Sequence, residues 1–365
     1  MIHPESYEQI LRACRQMMSH RQMLAWPVLE RFVLRHIDVN TPNVALLSHI
    51  IAESLFRRLD STLIEGRNIY VQKFDIPQIE MFYKMAQAYP QIYASHQVAN
   101  QYLADRLRDL REVTYFDIGV GRGVQLQDLV TRLMLDQTSR VERMKVVALD
   151  PDPQNLDDTR DQLAAMQSAL PFDIDFVPLC TVFEQLEPEM LEQIGEEARG
   201  GLAINAAYAL HHTEHPLGDQ DFRTELLQRL GRMRPRIFTL IEPSSDHDTE
   251  SLVRRFHNCW QHFGTVFELI DESGLSPSER FHVKETFFGR EIRDMFGASD
   301  RFRCERHEPY ETWMLRLEKA GFRPATGLRP EVALPSYCEH SAADGLVRLG
   351  YNGMTLIAVF AREAA

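Results

Sequence analysis

Three glycines at alternate positions follow a β-branched and aromatic run in TYFDIGVGRG, Thr114 to Gly123. In open α/β sheets, such a turn lets backbone amides approach a ligand beyond the carboxyl end of a strand, just before the next helix begins. Asp117 precedes the turn, and the spacing of Gly119, Gly121 and Gly123 is G-x-G-x-G, whereas pyrophosphate binding typically uses G-x-G-x-x-G. A carboxylate here suits the cationic amino group of S-adenosylmethionine and would repel a pyrophosphate. The turn therefore favours S-adenosylmethionine over NAD, and NAD-dependent oxidoreduction is the weaker alternative.

The same chemistry continues at the ends of later β-rich runs. Asp150 ends the run VVALD, where a carboxylate can accept hydrogen bonds from both hydroxyls of a ribose. Thr181 follows the run FVPLC and Asn205 lies in LAINAA, so both are predicted to line the cofactor pocket. The ordinary alternatives are a tight turn at the glycines and a helix cap at the acids. Because the two acids and the glycines occur in this order, we predict an S-adenosylmethionine site.

A methyl acceptor would lie at the same end of the sheet. The fourth strand opens into INAAYALHHTEHP, where Tyr208 and His211 are candidate substrate contacts and His212 is a candidate general base. The fifth strand ends in LIEPSSDHD, which makes Glu242 the second candidate catalytic base. An imidazole or a partly buried carboxylate can remove a proton from an acceptor hydroxyl or amine if its pKa lies near the working pH. For Glu242, the alternatives are a helix-cap contact and an ion pair with a nearby arginine.

Two histidines at helical spacing raise the question of a metal site. His211 and His215 flank Glu214, but no third ligand is indicated. Histidines that cap a helix or form hydrogen bonds are the ordinary alternative, so we predict no metal.

The composition is that of an ordinary globular protein with an acidic balance. The 365 residues carry a formal net charge of −13. A broad phosphate-binding face needs clustered Lys and Arg, so direct nucleic-acid binding is disfavoured. The five cysteines form no CxxC pair, and no apolar run is long enough to cross a bilayer. We therefore expect a cytoplasmic protein with no membrane partner.

Hydrophobic spacing divides the chain into two regions. Up to residue 110 the pattern is helical, and in NVALLSHIIAESLFRRL the apolar residues recur at spacings of three and four. After residue 110, short β-rich runs alternate with helical stretches, which predicts a parallel sheet with crossover helices. The β-rich runs are Val113 to Ile118, Lys145 to Leu149, Ile174 to Val177, Leu202 to Ala206, Arg236 to Ile241 and Met354 to Arg362. We expect a helical cap over residues 1–110 and a core over residues 111–365, interrupted by an inserted cap around residues 273–308.

Several motifs in order give the chain a resemblance to the GRAS family that runs almost from end to end. VTYFDIGVGRGVQLQDL is similar to the family's VHIID element, and ALHHTEH is similar to its Leu-His-Arg element, although His212 stands where arginine is usual. RFHNCWQHFGTVFELID resembles the segment after the PFYRE region, and RFRCERHE, ending at Glu308, resembles the family's Arg-x-Glu-Arg-His-Glu stretch. Upstream, YPQIYASHQVANQYLAD is similar to the segment that leads into VHIID.

The resemblance implies an α/β fold: a Rossmann-like class I methyltransferase core with a mostly parallel seven-stranded sheet, an N-terminal helical cap and an inserted cap. Plant members of the family are known as transcriptional regulators that act through protein partners, whereas bacterial relatives have been considered small-molecule methyltransferases. Plant versions commonly lose the first two glycines of the turn, but this chain keeps Gly119 and Gly121. It therefore looks like a bacterial-type GRAS domain.

We accordingly predict an enzyme, an S-adenosylmethionine-dependent methyltransferase that acts on a small-molecule substrate by in-line displacement. The caps would cover the pocket, and their candidate substrate contacts are Tyr83, Tyr93, His96, Asn100, Glu285, Tyr351 and Asn352. The helical N-terminal region permits a homodimer without requiring one. The alternative, from a different class, is a non-catalytic GRAS-type module that recognises a protein partner or senses a small ligand.

Overall fold

The β-rich runs after residue 110 pair into one sheet. The structure is a computed structural model that describes residues 4–59, 84–198, 201–213, 221–300 and 302–365. In these ranges the sheet has nine strands: β1 (Glu112–Ile118), β2 (Arg143–Leu149), β3 (Asp173–Leu179), β4 (Leu202–Ala207), β5 (Ile237–Pro243), β6 (Phe322–Pro324), β7 (Glu339–Ala343), β8 (Leu346–Tyr351) and β9 (Met354–Ala364). Their order across the sheet is β3-β2-β1-β4-β5-β9-β8-β7, and β6 pairs with β9.

The direction of the strands follows the predicted alternation. Strands β1 to β5 pair in parallel, and β9 returns antiparallel to β5. In the register of the centre, Asp117 of β1 lies opposite Asn205 of β4, and Asn205 lies opposite Thr239 of β5. The predicted α/β class with a Rossmann-like core is confirmed, and the sheet has two more strands than the seven expected.

Helices connect the strands and build the rest of the described chain. Their bounds are α1 (Pro4–Met18), α2 (Gln22–Val33), α3 (Asn43–Leu59), α4 (Pro90–Leu107), α5 (Val124–Leu135), α6 (Pro153–Met166), α7 (Pro188–Glu197), α8 (Phe222–Arg232), α9 (Leu252–Asp271), α10 (Pro277–His282), α11 (Gly289–Gly297) and α12 (Tyr310–Lys319). Local sequence sets several starts: the Asp152 carboxylate accepts from the backbone N–H of Gln154 at the start of α6, and Ser276 and Glu279 form a capping box at α10. Among the described helices, none is both long and apolar enough to cross a membrane.

The chain divides into two compact units. Unit 1 comprises Met1–Pro90, Ser244–Pro309 and Tyr351–Leu356; unit 2 comprises Gln91–Pro243, Tyr310–Gly350 and Ile357–Ala365. The core of unit 1 includes the aromatic stripe of α9, where Phe256, Trp260, Phe263 and Phe267 are buried at spacings of three and four. This division places α4 with the sheet, whereas the sequence pattern groups residues 1–110; the predicted domain boundaries stay a prediction.

The core of unit 2 lies on the sheet. Strand β1 is buried over all but its first residue, and buried side chains of the sheet pack with those of the flanking helices α7, α8 and α12. Because parallel strands end at the same edge, the residues that follow β1, β2, β4 and β5 are brought together at the carboxyl edge of the sheet. The candidate site described below lies at this edge and within unit 2.

Candidate functional site

The three glycines of the turn between β1 and α5 differ in what surrounds them. All three glycines have left-handed φ angles, +76° at Gly119, +54° at Gly121 and +69° at Gly123. A Cβ added at Gly119 would lie 2.8 Å from the Ala209 Cβ, and one at Gly123 would lie 2.7 Å from the Thr159 Cγ2. Apart from Gly121 itself and its two chain neighbours, no described residue has an atom within 4 Å of a Cβ added at Gly121. Gly119 and Gly123 are therefore required by packing as well as by conformation, and only the Gly121 position is open.

Asp150 ties the end of β2 to this turn. Its Oδ2 accepts a hydrogen bond from the Gly121 amide at 2.9 Å, and its Oδ1 accepts from the Asp152 amide at 2.9 Å and the Asn155 Nδ2 at 3.0 Å. Burial raises the pKa of this carboxyl, although these three donors oppose the shift. The Asp150 carboxylate thus lies beside the glycine turn and is oriented by the backbone amides of Gly121 and Asp152.

Asp117, in contrast, lies inside a buried polar network. Its Oδ1 accepts from the Asn205 Nδ2 at 2.9 Å, and burial raises the pKa of the Asp117 carboxyl to about 7. The Asn205 Oδ1 accepts from the Thr239 hydroxyl at 2.8 Å and from the Gln125 Nε2 at 3.2 Å. The Asn100 Nδ2 extends the network by donating to the Gln125 carbonyl at 2.9 Å. In this structure, Asp117 and Asn205 bind each other and link β1, β4, β5 and α5.

His211, which follows β4, and Glu242, near the end of β5, form a buried pair. The His211 Nδ1 lies 2.6 Å from the Glu242 Oε2, and the Leu210 amide donates to the Glu242 Oε1 at 2.8 Å. Glu242 is fully buried, and this burial raises the pKa of its carboxyl to about 8. The buried Arg223 donates to the His211 carbonyl at 3.0 Å, and the ring centroid of His212 lies 3.8 Å from that of His211. Both Glu242 oxygens therefore have partners from the chain itself, and neither is exposed to solvent.

Tyr208 sits at the end of β4 in a strained conformation. Its φ is +55°, a left-handed value that is costly for a bulky side chain and that clusters at functional sites. Its backbone amide donates to the Ile241 carbonyl at 2.8 Å, and its hydroxyl lies 2.7 Å from the Ser95 Oγ of α4. The His96 ring is 5.9 Å from the Tyr208 ring, and burial lowers the pKa of His96 to about 4, so this imidazole is neutral at pH 7.

The remaining predicted contacts lie elsewhere or fall outside the described residues. Thr181 is half-buried just after β3, and Tyr93 on α4 is 56% exposed. Glu285, Tyr351 and Asn352 belong to unit 1, where Glu285 pairs with Arg293 and Asn352 donates to Glu268 at 3.4 Å. Tyr83, Glu214 and His215 lie outside the described residues, and the metal alternative that involves Glu214 and His215 lies there with them.

Sequence reasoning missed three side chains that complete the cluster: Gln125, Thr239 and Ser95. Gln125 and Thr239 bind Asn205, and Ser95 binds Tyr208. One signal was present for Thr239, because it is a polar residue between apolar neighbours in the middle of a strand. For Gln125 the signal was its place in the first turn of the helix after the glycines; nothing in the local pattern marked Ser95.

The chain is similar in sequence to several plant proteins, one of which is named a transcription factor. The chain is 26% identical over 334 residues to chitin-inducible gibberellin-responsive protein 1 of Oryza sativa subsp. japonica, covering 87% of this chain and 57% of that protein. It is 23% identical over 331 residues to the scarecrow-like transcription factor PAT1 of Arabidopsis thaliana, covering 86% of this chain and 66% of that protein. The crystal structure of SCL7 from Oryza sativa matches with a TM-score of 0.74 at 19% identity, over 92% of this chain and 94% of that chain, which supports the fold alone.

These relatives correct the prediction of an enzyme. A methyltransferase acting on a small-molecule substrate is contradicted, because the named relatives are a transcription factor and a gibberellin-responsive protein and neither name describes an enzyme. The site agrees with the correction, since Glu242, a predicted catalytic base, is closed onto the chain's own groups. The bacterial-type expectation also conflicts with these relatives, which are plant proteins.

The match to the family covers most of the molecule. The model of the GRAS domain family matches residues 7–333, which include the glycine turn, the His211 and Glu242 pair and most of both units. The motifs that gave the resemblance therefore lie inside one continuous match. The chain belongs to the GRAS domain family.

Proposed function

We propose that this chain is a non-catalytic GRAS-type module that acts through protein partners and senses a small ligand at the glycine turn. The relatives support the first part, since PAT1 is named a transcription factor and not an enzyme. This chain spans 57% and 66% of the lengths of the two curated relatives described above, so the proposal concerns the domain.

One contrast within the site carries the proposal: the carboxyls of Glu242 and Asp117 are engaged by other groups of the chain, but the glycine turn is open at Gly121. Glu242 has both oxygens engaged by Leu210 and His211, and Asp117 is engaged by Asn205. A general base must reach the proton that it removes, and a fully buried carboxylate with two internal partners does not meet this requirement. Gly121, by comparison, has no neighbour on its Cβ side and is held by the Asp150 carboxylate.

The ligand we propose is S-adenosylmethionine or its demethylated product, bound without turnover. The Asp150 Oδ2, which accepts from the Gly121 amide, would accept a second hydrogen bond from one ribose hydroxyl, and the turn would approach the ligand through the open Gly121 position. The residues present fit such a group in their donor and acceptor chemistry, because a buried carboxylate stands beside a glycine with free space next to it. Asp117 would not contact the ligand but would hold Asn205 and the end of β1 in place.

Isothermal titration calorimetry of the full chain with S-adenosylmethionine and S-adenosylhomocysteine tests the ligand site. Gly121→Arg fills the open space of the turn, so we expect its binding to fall by at least about a hundredfold, roughly the loss of 2–3 kcal/mol. Gly327→Arg is the matched control, because Gly327 also has a left-handed φ, +85°, and no neighbour within 4 Å of an added Cβ. It should bind like the parent. Binding that is absent from the parent, or unchanged in Gly121→Arg, would show that this turn is not the ligand site.

The cellular setting is also part of the proposal. Cys14, Cys180, Cys259 and Cys338 form no disulfide with any residue that the structure describes, and burial raises the pKa of Cys14 to about 12. Unpaired thiols are the ordinary state of proteins in a reducing compartment. They support the intracellular, cytoplasmic location that the sequence predicts.

A further inference from the structure

A groove runs between α7 and α8 in unit 2. Its volume is about 270 Å³, and its apolar lining includes Leu191 and Met233, which are both buried. The helices approach closely beneath it, because a Cβ added at Gly195 would lie 3.4 Å from the Met233 Cα. A shallow apolar floor between two helices is the geometry in which a third helix packs.

The two walls of this groove carry opposite charges. Arg229, Arg232 and Arg234 line the side of α8, and Glu192 and Glu196 line the side of α7. The structure gives these five side chains no hydrogen bond or ion pair with any of the residues it describes, and all but Arg229 are exposed. Opposite charges thus face the same groove without meeting across it.

Charged neighbours just outside the groove do have partners within the chain. Glu197, the last residue of α7, accepts from the Lys145 Nζ at 2.6 Å. Arg236, two residues beyond Arg234, donates to the Arg106 carbonyl at 2.7 Å. Arg234 itself is held at a φ of +50°, a left-handed value that costs about 1 kcal/mol for a residue with a side chain. Glu197 and Arg236 are thus paired within the chain, whereas the five side chains on the groove walls have no partner among the described residues.

We propose that the groove binds an amphipathic helix of a partner protein, with an apolar stripe flanked by acidic residues on one side and basic residues on the other. This inference rests on the proposed function, since it names the class of protein partner. The acidic flank meets the arginine wall, and the basic flank meets Glu192 and Glu196, while the stripe covers Leu191 and Met233. Guanidinium groups suit this role because they bind carboxylates through two parallel hydrogen bonds.

Charge complementarity selects this occupant over two others. A nucleic acid or a uniformly acidic segment would be attracted by the arginines but repelled by Glu192 and Glu196. A uniformly basic segment would be attracted by the two glutamates but repelled by the arginines. Only a segment with both signs, one along each side of its apolar stripe, satisfies the two walls together. A second copy of this chain is a different occupant, which the experiment separates.

Three fluorescent helical peptides of about 18 residues, roughly five turns, test the groove by anisotropy with the full chain. They share one leucine stripe and differ in their flanks, which are acidic and basic, both acidic, or both basic. We expect the mixed-flank peptide to bind at least about tenfold more tightly than the other two. Equal binding of all three, or no binding, would overturn the proposal.

Charge reversal supplies the decisive variants. Arg229→Glu with Arg232→Glu makes both walls acidic, so the preference should change to the doubly basic peptide. Glu192→Lys with Glu196→Lys makes both walls basic, so the preference should change to the doubly acidic one. The control Arg140→Glu with Arg329→Glu alters two exposed arginines elsewhere in unit 2 and should keep the parent's preference. A groove variant that behaves like this control would contradict the proposal.

Two further measurements separate the outcomes. Sedimentation velocity of parent and groove variants detects a second copy in the groove: a parent dimer that becomes monomeric on charge reversal would overturn the partner-helix proposal. Calorimetry with S-adenosylhomocysteine on the same variants should match the parent, so a failure of the groove leaves the ligand proposal standing, and the reverse also holds.

Discussion

At the scale of single residues, Asp117 shows how a carboxyl that looks like a ligand contact serves the interior. It is the next-to-last residue of the central strand β1 and lies opposite Asn205, and its oxygen accepts from the Asn205 amide instead of facing solvent. Burial is the main reason that its pKa rises to about 7, since removing water disfavours the charged form more than hydrogen bonding to the carboxylate favours it. The folded state therefore binds a proton that the unfolded chain releases near pH 4.

This shift predicts a pH-dependent stability difference for Asp117→Asn. A raised carboxyl pKa contributes stability that is fully present below the unfolded value and is lost as the pH rises through the folded value. Between about pH 4 and 7, the parent should lose free energy of unfolding relative to the variant by up to about 1.4 kcal/mol per pH unit. Urea unfolding across that range measures the slope.

Asp161→Asn is a matched control for this slope. Asp161 is exposed, and its substitution by Asn changes the formal charge of the chain by the same amount as Asp117→Asn. Its difference from the parent should stay flat with pH. If Asp117→Asn is equally flat, the buried carboxyl does not take up a proton in this window and the account of the network is wrong.

At the scale of elements, the three glycines of the turn between β1 and α5 have different surroundings: two are packed against side chains and one has open space beside it. Gly119 and Gly123 press against Ala209 and Thr159, whereas Gly121 faces open space. A side chain at any of the three meets the cost of a left-handed backbone, but only the first two also force neighbours apart. The loop thus has a rigid base with one accessible position.

Alanine substitutions should rank accordingly in urea unfolding. Gly121→Ala should cost about 1 kcal/mol from backbone strain, while Gly119→Ala and Gly123→Ala should each cost about 2–4 kcal/mol because overpacking adds to that strain. Gly327→Ala, with an open left-handed position elsewhere, should resemble Gly121→Ala. Equal losses at all three positions of the turn would contradict the assigned contacts.

The strands that the sequence predicts are those with a β-branched, apolar pattern. Strands β1 to β5 and β9 begin and end within two residues of the predicted runs, because each contains a mostly apolar segment bounded by turn residues. Strand β7, EHSAA, is exposed along its length and β6 has three residues, so neither carries a pattern that distinguishes it from a loop. Their pairing is set by the neighbouring strands and not by local preference.

For the candidate site, the sequence predicts where the residues lie in the fold better than it predicts what their side chains do. The positions of Gly121 and Asp150 at adjacent strand ends follow from parallel topology alone. The pairing of Asp117 with Asn205, and of His211 with Glu242, depends on register and side-chain direction between strands that are far apart in sequence. Residue types suggested acid–base chemistry for Glu242, but only the structure gives its two internal partners.

At the scale of the whole molecule, the family fold combines an α/β core with a largely helical unit. Unit 2 carries both the glycine turn and the charged groove between α7 and α8, so one unit holds the proposed ligand site and the proposed partner site. The relatives favour a regulatory role, and the engagement of both Glu242 oxygens within the chain agrees with it. We therefore propose that a bound nucleoside acts as a signal and not as the first reactant of a catalysed step.

Incubation of the purified chain with S-adenosylmethionine and a small-molecule metabolite extract tests this central claim most directly, with S-adenosylhomocysteine measured by mass spectrometry. We expect that the chain binds the nucleoside and that product forms no faster than with the Gly121→Arg variant. Product that forms repeatedly with the parent, and that disappears with both Gly121→Arg and Glu242→Gln, would contradict it.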